Sequence, residues 1–109
     1  MYTIEEYIAP NGKSPFSEWL EKIKDARAQA RILARLDRVT LGNFGDTKSL
    51  KDGIHELRDH YSPGYRIYYS IVKETVVLLL AGSVKQDQQQ AIEKSKEYLK
   101  QWRKYHDSK

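Results

Sequence analysis

Gly53-Ile54-His55-Glu56-Leu57-Arg58, followed after a short polar loop by Pro63-Gly64-Tyr65-Arg66-Ile67-Tyr68-Tyr69, decides how this chain is read. Both stretches are rich in aliphatic and aromatic residues and are punctuated by glycine, so they read as two strands joined by a loop, each carrying an arginine. Tyr65 to Val72 alternates, with Tyr65, Ile67, Tyr69 and Ile71 on one face and Arg66, Tyr68 and Ser70 on the other. Val76 to Ala81 is apolar without alternation, which marks a central strand covered on both faces. Lys73-Glu74 makes the hairpin turn between them, and Lys85 stands just past the apolar run. Upstream, Ser49 to Leu57 supplies one or two short strands around an Asp52-Gly53 turn.

Toward the N-terminus, Tyr2 to Ile8 reads as a first strand and Pro10-Asn11-Gly12 ends it. Ser14 then has the chemistry of an N-cap and Pro15 that of a first helical residue. Phe16, Trp19, Leu20 and Ile23 recur at helical spacing, so a helix runs to about Lys24. A second helix starts near Asp25 or Ala26, presents Ile32, Leu33, Leu36 and Val39 inward, and stops at Gly42. The short turn between them predicts an antiparallel helical hairpin, with one longer bent helix as the alternative. At the C-terminus, Asp87 caps a helix through about Tyr105 with Ile92, Ser95, Leu99 and Trp102 inward. The predicted fold class is therefore α+β: an N-terminal strand, a helical hairpin, a small antiparallel sheet and a C-terminal helix.

The 109 residues suit one domain spanning the whole chain, and 39% hydrophobic with 31% charged residues is a globular composition. Without cysteine, a disulfide framework, a thiol nucleophile and a cysteine-held metal are all excluded. His55, His60 and His106 lack the close spacing of a metal site, so no metal or cofactor is expected. No secretory signal pattern appears and no apolar run approaches the roughly 18 residues that span a bilayer, so a cytoplasmic protein is expected. The net charge of +4 and pI near 9.2 favour an acidic partner such as nucleic acid.

Glu56 and Arg58 share one face of their strand, as Arg66 and Tyr68 do on the next. Antiparallel pairing around the 59–65 loop brings these polar faces together, on a side expected to be open. An exposed Arg66 there would contribute little to stability. Arginine offers a rigid, permanently charged fork that fits a phosphate, while lysine, tyrosine, histidine or glutamate can move protons. An exposed cross-strand ion pair between Glu56 and either arginine explains the same residues equally well. Lys85 alone marks no more than a strand reaching solvent, and gains weight only by agreeing with the arginines. His60 and Tyr61 lie in the loop, within reach of a ligand, whereas His55 falls on the opposite parity.

Lys24, Arg27, Arg31, Arg35 and Arg38 follow at steps of three and four along the second helix, a basic stripe with no acid in register. A solvated face is the commoner explanation of such runs, but a nucleic-acid backbone would compensate them equally. Lys94, Lys96, Lys100, Arg103 and Lys104 are interleaved with Glu93 and Glu97 and read as an ordinary solvated helix.

Four motifs in fixed order, Gly45-Asp46-Thr47-Lys48-Ser49-Leu50, Gly53 to Arg58, Gly64 to Tyr69 and Leu79 to Lys85, carry a family resemblance. The chain resembles the RelE/HigB-type toxins of the RelE/ParE superfamily, in particular the phage-derived addiction module killer protein branch. That resemblance implies a RelE/ParE-like fold and the toxin of a type II toxin–antitoxin system. It implies a metal-independent, ribosome-dependent mRNA endoribonuclease, an mRNA interferase that arrests translation. The implied partners are the ribosome, mRNA and a cognate helix-turn-helix antitoxin through which oligomers form, with no membrane involved. By resemblance Arg58 and Arg66 match phosphate-binding arginines and Lys85 a basic residue after the last strand. Ile54 and Glu56 stand where relatives place lysines, Gln86 where some have arginine, and Ile92 where a catalytic tyrosine can lie. Glu56, Lys48 and Lys51 are thus the candidate general bases, with Lys48, Lys51, His60, Tyr68 and the basic stripe as RNA contacts. The alternatives are a ParE-like toxin that binds DNA gyrase and an inactive member acting in repression with its antitoxin.

Overall fold

A computed structural model of the chain describes residues 1–107. Its elements run β1 (Thr3–Glu6), α1 (Pro15–Lys22), α2 (Ala26–Thr40), β2 (Thr47–Ser49), β3 (His55–Asp59), β4 (Tyr65–Val72), β5 (Val76–Val84) and α3 (Gln88–Asp107), with a 3-10 turn over Lys85–Asp87. Capping chemistry starts both N-terminal helices. The Ser14 hydroxyl accepts from the Ser17 amide at 3.1 Å with Pro15 in the first turn, and the Asp25 carboxylate accepts from the Arg27 and Ala28 amides. Two separate helices are thus present, not a single bent helix, and two short strands, β2 and β3, flank the Asp52-Gly53 turn.

The sheet order is β1-β5-β4-β3-β2. β2 to β5 form an antiparallel run, and β1 joins the other edge parallel to β5 with Ile4 opposite Val77, so the sheet is mixed. The all-apolar β5 lies between β1 and β4, as its composition demands. A register shift at Tyr68/Tyr69 leaves Leu80 as the extra residue on β5, so Leu80 and the adjacent Ala81 both pack into the same cluster.

Each face of the sheet carries its own core. On one, Phe16, Ala28, Ile32, Leu36 and Val39 of α1 and α2 cover Leu57, Tyr65, Ile67, Tyr69, Val77 and Leu79. Burying a side chain such as Ile32 or Leu79 contributes roughly 1.5–3 kcal/mol. On the other, Ala91 and Leu99 of α3 cover Ile54, Tyr68, Val72, Leu78, Leu80 and Ala81. Two side chains assigned inward by periodicity alone are exposed: Leu33, on the flank of α2, and Ile71, near the far end of β4.

The larger correction concerns the polar face of β3 and β4, expected to be open. It is roofed by α3, and Arg66 and Tyr68 are 4% and 0% exposed. Ser95 and Leu99 of α3 are buried against this side, so the helix buries polar strand residues together with apolar ones. Among the described residues no helix is long and apolar enough to cross a membrane.

Candidate functional site

Pairing of β3 with β4 sets Glu56 opposite Tyr68 and Arg58 opposite Arg66, so the four polar residues do adjoin. Their environments differ. Glu56 is 1% exposed, accepts from Gln88 Nε2 of α3 at 2.6 Å, and lies 3.8 Å from Arg66 Nε. That Nε has no hydrogen-bond partner among the described residues, while Arg66 Nη1 donates to the Tyr65 carbonyl at 3.2 Å. The Tyr68 hydroxyl meets Ser83 at 3.2 Å, and burial pushes it up to about 12, so it stays protonated at neutral pH. These groups form an enclosed polar cluster beneath the start of α3. Lys85 lies at its rim. A Cβ built on Gly64, whose φ is +93, would meet Lys85 Cβ at 3.4 Å and Arg66 Nη1 at 3.9 Å, so the three residues converge.

Arg58 leaves this cluster at the sheet edge, before β2 begins. Its Nε and Nη2 donate to Asp46 Oδ1 at 3.1 and 2.8 Å, and Asp46 Oδ2 meets His60 Nε2 at 2.9 Å. The hydrogen bond from Arg58 and then that from His60 hold the Asp46 carboxyl below its ordinary range. These residues share a concavity of about 550 Å³ with Arg31, Arg35 and Arg38 of α2 and with Asp59 and Tyr61. The basic stripe is therefore not uniformly solvated. Arg31 donates to Asp59 at 2.9 and 3.2 Å and lies 5.1 Å from the Tyr61 ring centre. Arg35 donates to the carbonyls of Arg58, Phe44 and Asp46 at 2.6, 3.0 and 3.2 Å, and burial lowers its pKa. Burial pushes the Asp59 carboxyl up, yet the hydrogen bonds from Arg31 and the Tyr61 amide and the charges of Arg31 and Arg35 outweigh it, leaving the pKa lowered. Arg27 and Arg38 are exposed, and Lys24 precedes the helix rather than extending the stripe along it.

The remaining candidates lie apart from the enclosed cluster. Lys48 sits on edge strand β2 opposite Glu56, and Lys51 in the turn after it, both exposed. His55 stacks on Tyr69 on the α2 side, and burial lowers its pKa. Gln86 is exposed, whereas Ile54 is fully buried and Ile92 partly so. Asp46, Asp59 and Gln88 were not singled out from sequence. The parity of Asp59, shared with Leu57, could have pointed to α2, and the Gly45-Asp46 step to a turn aimed at the next strand. Nothing in the local sequence marks Gln88. Chemically, the concavity offers four arginines and a histidine against two carboxylates, a surface suited to an anion.

A sequence model of the family described as Phage derived protein Gp49-like (DUF891) matches residues 18–103. A Haemophilus influenzae protein described as uncharacterized is similar to this chain, at 46% identity over 81 residues, or 74% of this chain and 82% of that protein.

Proposed function

This chain belongs to the Gp49-like family of phage-derived proteins, which is associated with addiction module killer toxins, and from that premise we propose that it is the toxin of a type II toxin–antitoxin pair, a RelE/HigB-type mRNA endoribonuclease acting in the cytoplasm on the translating ribosome. The observation that carries the RNA assignment is the position of Arg58. It is paired with Arg66 across β3 and β4 and at the same time lines the open cationic concavity, so it is the arginine of the pair that a ligand in the concavity meets.

Cutting RNA with side chains alone requires proton removal from the 2′-hydroxyl, charge stabilisation at the pentacoordinate phosphorus and protonation of the leaving 5′-oxygen. Arg58 supplies the charge directly. Arg66 supports it from the covered face and Lys85 from the rim. Glu56, buried and bound by Gln88, acts as a positioning residue for Arg66, so proton transfer falls to the solvent-accessible groups Lys48, Lys51 and His60. A cognate helix-turn-helix antitoxin neutralises the protein and organises its oligomers. Burial of Arg66 and Glu56 also gives weight to a second reading, ParE-like binding of DNA gyrase through protein contacts, because half of the arginine pair is then structural.

Purified protein added to ribosomes programmed with a defined mRNA tests the proposal by primer extension. Cleavage should appear in the decoding region, vanish with a single 2′-deoxy nucleotide at the cut position, and fall about 10²–10³-fold in Arg58→Ala. Intact mRNA with active protein would reject it.

A further inference from the structure

A single carboxylate, that of Asp46, occupies both the Arg58 guanidinium and the His60 imidazole of the concavity. One oxygen takes both donors of the Arg58 fork and the other takes the His60 imidazole. That is how the two anionic oxygens of a phosphodiester would be shared between a guanidinium and an imidazole. The side chains of Arg58, Asp46 and His60 are 33%, 39% and 72% exposed, so this is an open cluster that a ligand reaches, and exposed pairs of this kind are weak.

The surrounding frame does not depend on the Asp46 side chain. Arg35 holds the backbone carbonyls of Phe44, Asp46 and Arg58 together from α2, and the Arg58 amide donates to the Asp46 carbonyl at 2.9 Å. The second carboxylate, Asp59, is buried and fixed by Arg31 and the Tyr61 amide, so it belongs to the wall. Arg38 adds an exposed cation, in no ion pair among the described residues, one turn beyond Arg35. Only Asp46 is placed to swing away and leave an anion site behind.

We infer that the Asp46 carboxylate stands in for a backbone phosphate of single-stranded RNA, which displaces it from Arg58 and His60 when the concavity fills. The inference rests on the RNA-cleaving reading and assigns where one substrate phosphate sits. RNA is the occupant that the RNA-cleaving reading requires, and a further phosphate along the same strand meets the exposed Arg38.

Fluorescence anisotropy of the full chain with a short, fully 2′-O-methylated RNA, which cannot be cut, tests this at low salt. Asp46→Asn should bind about threefold to tenfold tighter than the unsubstituted chain, with a steeper salt dependence because no displaced carboxylate takes up a counterion. Asp46→Ala should move the same way, and Arg58→Ala should weaken binding about tenfold, all three retaining cooperative thermal unfolding. In the unsubstituted chain, RNA should shift the His60 ring resonances. If neither Asp46 variant binds more tightly, or if His60 is unmoved at saturation, the inference is overturned. Displacement of the RNA by polyglutamate at lower concentration than by the unlabelled RNA itself would overturn it in favour of an acidic protein partner. Tighter binding by Asp46→Asn alongside intact ribosomal mRNA would uphold the phosphate site while rejecting cleavage.

Discussion

Arg58 and Arg66 are direct cross-strand partners, yet one guanidinium ends on Asp46 at the solvent-exposed sheet edge and the other lies buried beside Glu56. Two arginines on one strand pair thus sit in different environments. Arg58 is partly exposed at the concavity, whereas Arg66 is part of an internal polar cluster.

Arg66→Ala is consequently not the mild surface change that strand parity alone predicts. It leaves the Glu56 carboxylate buried without its neighbouring charge, and breaking a buried pair in this way costs about 3–5 kcal/mol. Chemical denaturation should show that loss, while the double change Arg66→Met with Glu56→Gln recovers most of it. Loss of growth arrest in the folded double variant would then report on the charge of Arg66 and not on folding.

Asp59 makes the acid limit of stability specific. Its carboxyl is held below the ordinary range in the fold, so its contribution is complete above the unfolded value of about pH 4 and disappears as pH falls through the folded value. Unfolding midpoints measured between neutral pH and pH 2 should drop most steeply below about pH 4. Asp59→Asn should lower the neutral-pH midpoint and flatten that acid drop.

Arg35 ties three carbonyls from separate segments, and Arg35→Met leaves them without that donor. A destabilisation of about 2 kcal/mol follows, with faster amide exchange at Arg58, whose amide bonds to the Asp46 carbonyl on the same frame. Hydrogen exchange at that amide separates a local loosening from a global one.

Gly82 is where α1 meets β5. A Cβ there would lie 2.1 Å from the Trp19 ring, so Gly82→Ala must displace an indole that also packs on Phe16 and Tyr65. The cost should be about 1–3 kcal/mol, and Trp19→Leu in the Gly82→Ala background should relieve part of it in thermal unfolding.

The two N-terminal helices, the strand pair and its register were legible because each depends on local chemistry: Ser14-Pro15 and Asp25 at helix starts, the alternation from Tyr65 to Tyr69, and the unbroken apolar run of β5. The depth of the site was not. Arg66, Glu56 and Tyr68 look like an exposed face because binary patterning reads polar as outside. Only the docking of α3, whose Gln88 comes 32 residues after Glu56, buries them. The basic stripe misled in the same way. The acid that neutralises Arg31 is Asp59, 28 residues away on another element, and the acceptors of Arg35 are backbone carbonyls with no signature in sequence.

The most direct measurement of the central claim is transcriptome-wide mapping of mRNA 5′ ends, beside a DNA-damage reporter, in bacteria expressing this chain without its antitoxin. New 5′ ends within translated frames, appearing with growth arrest and absent in Arg58→Ala, are the predicted result. Growth arrest with an induced DNA-damage response and intact messages would contradict RNA cleavage and favour gyrase as the target.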